Sequence, residues 1–282
     1  MGKVLNCKEA AKVFLENIKI ESEKLIEKGI NPILAIVRVG KKEDDIAYEK
    51  NILKNCEKVN IKGQVHECNE NIDMESFCKL IQELNRNESV HGILIFRPLP
   101  KHLDENVIKH IIDPSKDVDC MNPLNLARIF EGDLTGYLPC TPAAVMEIIK
   151  HFNIDVKGKK VAVLGRSMVV GRPLAMMMLK EDATVIICHS KTENLKEVVS
   201  GADIVAAAIG KAKFIGKDFI KDGAVVIDVG INVDNDGNLC GDVDFEAVKD
   251  KASLITPVPG GVGSITTAIL LKNVIKGAKM AL

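Results

Sequence analysis

The chain has 282 residues, of which 38 are Lys or Arg and 39 are Asp or Glu, for a formal net charge of −1. Such a length fits two domains, or one large one, with ample core. The charge balance leaves no global field for nucleic acid, an anionic membrane or an acidic substrate, so a charged ligand must be met locally. With 46% hydrophobic and 27% charged residues, the composition is that of a globular protein. The first residues carry Lys3, Lys8 and Glu9 with no apolar run behind them, so no secretory signal is expected. No apolar stretch reaches the roughly 18 residues of a membrane span. Eight cysteines are scattered without a CxxC, which predicts reduced thiols in a cytoplasm, mostly core filler, and no metal site.

Apolar runs alternate with helical spacing throughout, as a parallel sheet with crossover helices requires, and the fold class is read as α/β. In the first half, Ala10, Ala11, Phe14, Leu15 and Ile18 share a helix face, followed by a strand at Ile33–Val39. Helix 48–59, strand 64–68, helix 74–85 and a buried strand 92–96 follow, the last stopped by Pro98 and Pro100. Leu103 to Ile112 has helical spacing, and 113–119 is a loop. A boundary is expected near 137–142, where Thr141 and Pro142 suit the N-cap and first turn of a helix 143–152. In the second half, strands are predicted at 161–164, 184–188, 204–208, 224–228 and 254–256, and a helix over 265–282. The expected division is 1–138, completed by 265–282, and a second domain 139–264, with a cleft between them.

The second half contains a possible nucleotide unit. Val161 to Leu164 is a buried strand that runs into Gly165-Arg166-Ser167 and then a helix start near Gly171, the context in which backbone N–H groups and a helix N-terminus hold a pyrophosphate. The spacing is GxSxxxG, not GxGxxG, and a purely structural glycine turn accounts for it equally well. The next strand ends in Cys188-His189-Ser190-Lys191, with no carboxylate before Glu193. Hydroxyl and cation suit the extra phosphate of NADP, with Arg166 as a bidentate partner, better than the ribose hydroxyls of NAD. Solvated charges at strand ends are the plainer alternative. Gly210, and the run Asp228 to Asn232, place further glycines at the ligand-binding edge of the sheet.

Together, Gly165-Arg166-Ser167, Asp228-Val229-Gly230-Ile231-Asn232, Gly241-Asp242-Val243 and Thr256-Pro257-Val258-Pro259-Gly260-Gly261-Val262-Gly263 resemble the methylenetetrahydrofolate dehydrogenase/methenyltetrahydrofolate cyclohydrolase family. Tyr48, Pro98-Leu99-Pro100, 116–119 and 139–142 extend the resemblance over nearly the whole chain. It implies an N-terminal α/β domain, a Rossmann-type domain for NADP, with NAD also possible, a tetrahydrofolate derivative as substrate, and a cytoplasmic homodimer formed through the Rossmann domain. Carried position by position, it assigns Tyr48 and Asp119 to catalysis and substrate binding. Ile52, Phe96, Pro259, Gly260 and Gly263 would touch the folate, and Gly165, Arg166, Ser167, Ser190 and Ile231 the cofactor.

The resemblance breaks at one place. The family's Ser-x-x-Tyr-x-x-x-Lys reads here Asp45-Ile-Ala-Tyr48-Glu-Lys50-Asn-Ile52, and its Val-Gln-Leu-Pro-Leu-Pro reads Ile95-Phe96-Arg97-Pro98-Leu99-Pro100. The lysine and the glutamine that supports it are both apolar. The glycine usual after the aspartate is Cys120, and the proline after the glycine run is Ser264. On a helix, position i+4 returns to within about 40° of i, while i+2 and i+6 lie about 200° and 240° away, so Lys50 and Lys54 do not replace the lysine. By strand alternation Arg97 is expected to face away from Phe96. Hydride transfer needs positioning only, whereas losing a general acid/base costs about 100- to 10,000-fold. The expected function is an NADP-dependent dehydrogenase with weak or absent cyclohydrolase. A fully bifunctional enzyme and a silent folate- or NADP-binding protein stand as alternatives.

Overall fold

The computed structural model describes residues 2–281; Met1 and Leu282, the expected end of the tail helix, lie outside the described residues. In chain order the elements of the first half are β1 (Lys3–Val4), α1 (Cys7–Glu27), β2 (Ile33–Val39), α2 (Glu43–Lys58), β3 (Lys62–Cys68), α3 (Met74–Arg86), β4 (Gly92–Ile95), α4 (Glu105–Ile111), α5 (Pro123–Phe130) and α6 (Cys140–His151). Those of the second half are β5 (Lys160–Leu164), α7 (Gly171–Lys180), β6 (Thr184–Cys188), α8 (Leu195–Ser200), β7 (Ile204–Ala207), β8 (Val225–Asp228), β9 (Asn232–Val233), β10 (Leu239–Cys240), α9 (Phe245–Val248), β11 (Leu254–Ile255) and α10 (Gly263–Lys279). No helix among the described residues is long and apolar enough to cross a membrane.

Two compact units result. One comprises Val13–Arg128, Thr135–Cys140 and Thr267–Leu282. Its parallel sheet has the order β3-β2-β4, and the central strand β2 is buried along almost its whole length, which explains why it is apolar except for Arg38. Ala35, Val37, Phe77, Ile81, Ile93, Ile95 and Ile108 build a core against the sheet. Asp73 caps α3 by accepting from the Ser76 N–H at 2.8 Å, and Asp104 accepts from Asn106 N–H at 2.8 Å at the start of α4. The last part of α10 packs here, where Asn273 Nδ2 donates to the Val118 carbonyl at 2.8 Å.

The other unit comprises Met1–Lys12, Ile129–Leu134 and Thr141–Thr266. Its sheet is parallel throughout, in the order β1-β11-β8-β7-β5-β6. Counted from β5, the run β6-β5-β7-β8-β11 is 2-1-3-4-5, a doubly wound order whose topological switch point lies between β5 and β7. The short antiparallel pair β9 and β10 forms a separate ribbon.

Several expected boundaries are corrected. The N-terminal segment does not belong wholly with residues 13–138: β1 pairs with β11, Lys3 opposite Leu254 and Val4 opposite Ile255, and at two residues it carries no periodicity to read. Thr141 lies inside α6, which begins at Cys140, rather than capping it. α2 begins at Glu43, so Tyr48 sits within the helix instead of opening it. β4 ends at Ile95, one residue before the expected Phe96.

Phe77 is fully buried in the core of the three-stranded unit. Phe77→Ala should cost about 3–5 kcal/mol, read as a fall in the denaturant midpoint with little change in its slope.

Candidate active site

In the three-stranded unit, α2 opens with Glu43, Asp44 and Asp45 at its positive end and carries Tyr48 one turn later. The Tyr48 ring lies 5.4 Å from that of Phe96, tilted by 34°, and 40% of the residue is exposed. Four residues on, Ile52 is completely buried, while Lys50 and Lys54 are exposed. Burial first, then the nearby Cys140 and Asp119, holds the Tyr48 phenol well above its ordinary pKa, so it stays protonated. A neutral phenol can orient or donate, not abstract a proton.

Glu49, the residue after Tyr48, is tied to the sheet. Arg38 of β2, 3% exposed, donates from Nε to Glu49 Oε2 at 2.7 Å and from Nη2 to Glu67 Oε2 at 2.9 Å, and bonds the Gly40 carbonyl. These bonds keep the Arg38 guanidinium charged against the pull of its burial. A buried ion pair of this kind fixes orientation more than it adds stability, and here it sets how α2 presents Tyr48.

Asp119 stands on a loop built by Asp117. That side chain is 1% exposed and accepts from Met121 N–H at 2.9 Å, Asn122 N–H at 2.7 Å and Asn125 Nδ2 at 3.2 Å. Burial raises its pKa, opposed by those hydrogen bonds. Cys120 has φ +56°, the left-handed region in which glycine is unstrained, which gives the family's glycine at this position a physical reason. Arg97 does not face away. Its Nη2 donates to Asp119 Oδ2 at 2.9 Å, because β4 has ended at Ile95 and strand alternation no longer governs the next residues. The Cys140 thiol donates to the Val118 carbonyl at 3.5 Å and is pushed well up in pKa, mainly by burial and then by the nearby Asp119.

In the six-stranded unit, the carboxyl ends of β5, β6 and β7 surround a cavity of about 310 Å³ lined by Gly165, Arg166, Ser167, Ser190, Lys211 and Phe214, among others. It sits at the switch point, where doubly wound sheets bind ligands. Gly165 has φ +124°, and a Cβ there would lie 2.3 Å from the Ala208 carbonyl oxygen, so the turn admits no side chain. Ser167 Oγ accepts from Val170 N–H at 3.1 Å and organises the entry to α7. Lys211 reaches over the Phe214 ring at 5.2 Å from its centroid, a contact invisible in the sequence because it depends on the loop after β7.

Two buried aspartates hold the loops around this edge. Asp242 accepts from Ile209, Gly210 and Lys211 N–H at 2.6, 3.2 and 2.8 Å and from Asn232 Nδ2 at 2.9 Å. Asp228 accepts from Gly230, Asp242 and Val243 N–H at 3.0, 3.0 and 2.9 Å. Burial nevertheless pushes the Asp228 carboxyl up to about 6. Of the remaining expected site residues, Ile231 is exposed and lies beside Gly263, outside the cavity, while Gly260 lies beside Lys8 and Pro259 is exposed. Tyr48, Phe96 and Asp119 thus gather in one unit, and the glycine turn with Arg166, Ser167 and Ser190 in the other.

Gly165→Ala should add strain of about 1–3 kcal/mol and weaken NADP binding at least ~10-fold by calorimetry. Because the folded-state pKa of Asp228 is raised, folded protein holds a proton there that the unfolded chain has released, so its contribution declines as pH rises from about 4 to 6. The stability difference between wild type and Asp228→Asn, measured by urea unfolding, should therefore shift against wild type by up to ~3 kcal/mol across that window.

Two family models match: the tetrahydrofolate dehydrogenase/cyclohydrolase catalytic domain over residues 5–119 and the NAD(P)-binding domain of the same family over residues 139–282. The chain is 55% identical over 279 residues to the bifunctional protein FolD of Clostridioides difficile (strain 630), covering 99% of this chain and 97% of that protein. It superposes on the bifunctional methylenetetrahydrofolate dehydrogenase/cyclohydrolase FolD of Campylobacter jejuni with a TM-score of 0.98 at 42% identity, covering 100% of both chains. The Trypanosoma brucei enzyme, solved with NADP cofactor and inhibitor, gives a TM-score of 0.94 at 34% identity over 99% of this chain and 98% of that one. With the catalytic and nucleotide models both matched, the chain belongs to the tetrahydrofolate dehydrogenase/cyclohydrolase family and is an NADP-dependent enzyme of that family.

Proposed function

We propose that this chain is an NADP-dependent 5,10-methylenetetrahydrofolate dehydrogenase whose methenyltetrahydrofolate cyclohydrolase activity is weak or absent. The observation that carries the reading is the apolar pair at the positions of the family's lysine and glutamine: Ile52 is completely buried, and Phe96 packs its ring against Tyr48. The neighbouring Lys50 and Lys54 are exposed, and Tyr48 stays protonated. Arg97 reaches the site through Asp119, but a guanidinium stays protonated and cannot accept a proton from water.

The cavity in the six-stranded unit fits NADP. Its glycine turn is closed to any Cβ, leaving backbone for a pyrophosphate to approach, and Arg166, Ser190 and Lys211 supply the donors that a ribose phosphate requires. When bound, NADP supplies the hydride acceptor. The chain's own residues then position: Asp119 accepts hydrogen bonds from the pterin and Tyr48 orients the folate. Positioning alone accounts for hydride transfer, which requires no proton acceptor in the step. The family resemblance supports a cytoplasmic homodimer formed through the larger unit.

Full bifunctionality is the second reading, favoured by relatives such as that of Clostridioides difficile, which carries the name bifunctional protein at 55% identity. The two separate on a gain of function. Ile52→Lys combined with Phe96→Gln should raise methenyltetrahydrofolate hydrolysis by about 100- to 10,000-fold over wild type, with hydride transfer still measurable. Wild-type hydrolysis already matching its hydride transfer, and not improved by the pair, favours the bifunctional enzyme.

A further inference from the structure

The Arg97–Asp119 pair has a chemistry that the dehydrogenase reading does not use. Arg97 occupies the position where the family pattern has leucine, so the fold does not require a charge there. The side chains are 22% and 29% exposed, so the pair is partly open to a ligand. Arg97 makes no other hydrogen bond among the described residues, so one of its five N–H groups is committed to Asp119 at 2.9 Å and the rest are available. Asp119 can accept at more than one lone pair. Phe96, the preceding residue, packs on Tyr48, and Asp119 lies near enough to Tyr48 to raise its pKa, so the pair belongs to the same surface as the aromatic contact.

A carboxylate beside a guanidinium presents acceptors next to donors. The polar edge of a 2-amino-4-oxo pterin is the complement, with donors at the 2-amino group and N3–H and an acceptor at O4. Resting on the reading of Asp119 as the residue that accepts from the pterin, we propose that Arg97 is a specificity-determining residue that donates to the 4-oxo group while Asp119 takes the two neighbouring donors. A 4-amino group at that place would set donor against donor, and because the neutral 2,4-diamino ring has no N3–H it would also turn an acceptor toward Asp119, so Arg97 and Asp119 each contribute to rejecting the analogue.

The test compares tetrahydrofolate with its 4-amino-4-deoxy analogue as competitive inhibitors of the dehydrogenase at mildly alkaline pH, where both rings are neutral. Wild type should prefer the 4-oxo compound by about 10- to 100-fold, the discrimination expected of a hydrogen bond to a charged donor. Arg97→Leu should lower the preference several-fold, leaving the part that Asp119 sets at N3, and raise KM for the folate without changing KM for NADP. Arg97→Lys, which keeps a donor but not the fork, should retain part of the preference. Equal loss of affinity for both compounds in Arg97→Leu would show that Arg97 merely holds Asp119 in place, and unchanged or tighter binding of the 4-oxo compound would show that it does not touch the substrate. Either result overturns the proposal. Failure of the folate reading itself is separate: wild type would then bind neither compound.

Discussion

Loops between regular elements leave their backbone N–H groups without a ladder, and in this chain three buried aspartates supply acceptors for them. Asp117 gathers Met121 and Asn122, Asp228 gathers Gly230, Asp242 and Val243, and Asp242 gathers Ile209, Gly210 and Lys211. Each unpaired buried donor would cost on the order of 1–3 kcal/mol, so each carboxylate fixes a loop at a position where a ligand surface can be built. The cost is visible in the raised pKa values of Asp117 and Asp228, whose burial outweighs the hydrogen bonds they accept. Asp119 and Lys211, which face outward, depend for their placement on neighbours that do not.

On this scaffold the three-stranded unit combines two changes of opposite character. Where the family pattern has a lysine and its glutamine, Ile52 is buried and Phe96 packs against Tyr48. Where the pattern has leucine, Arg97 adds a cation bonded to Asp119. On the proposed reading, the first change subtracts proton transfer and the second adds hydrogen-bond recognition. Arg38 and Glu49 hold α2 against the sheet from the other side, so Tyr48 keeps its placement without the lysine.

The sequence was most legible where burial is two-sided and local. β2 reads from its run of residues that is apolar except for Arg38, and β6 and the start of α3 fall where spacing puts them. β1 is not legible, since a strand of two residues has no period and exists only through pairing, here with β11, which the reading at 254–256 does place. The glycine turn at Gly165 was visible, but its meaning lies in the Ala208 carbonyl that a Cβ would strike, a contact across the sheet. Alternation does not reach Arg97, which lies two residues past the end of β4, and its side chain bonds Asp119, 22 positions away. The roles of Asp228 and Asp242 were hidden for the same reason: their motifs are plain, but their partners are remote in the chain.

The most direct measurement follows purified enzyme, 5,10-methylenetetrahydrofolate and NADP spectroscopically, recording NADPH and the methenyl product separately against an enzyme-free hydrolysis control. Methenyl product accumulating in step with NADPH, and decaying no faster than in the control, is the expected result. Enzyme-dependent removal of the methenyl product at a rate matching NADPH formation would contradict the assignment of Ile52 and Phe96 as the residues that silence the hydrolase.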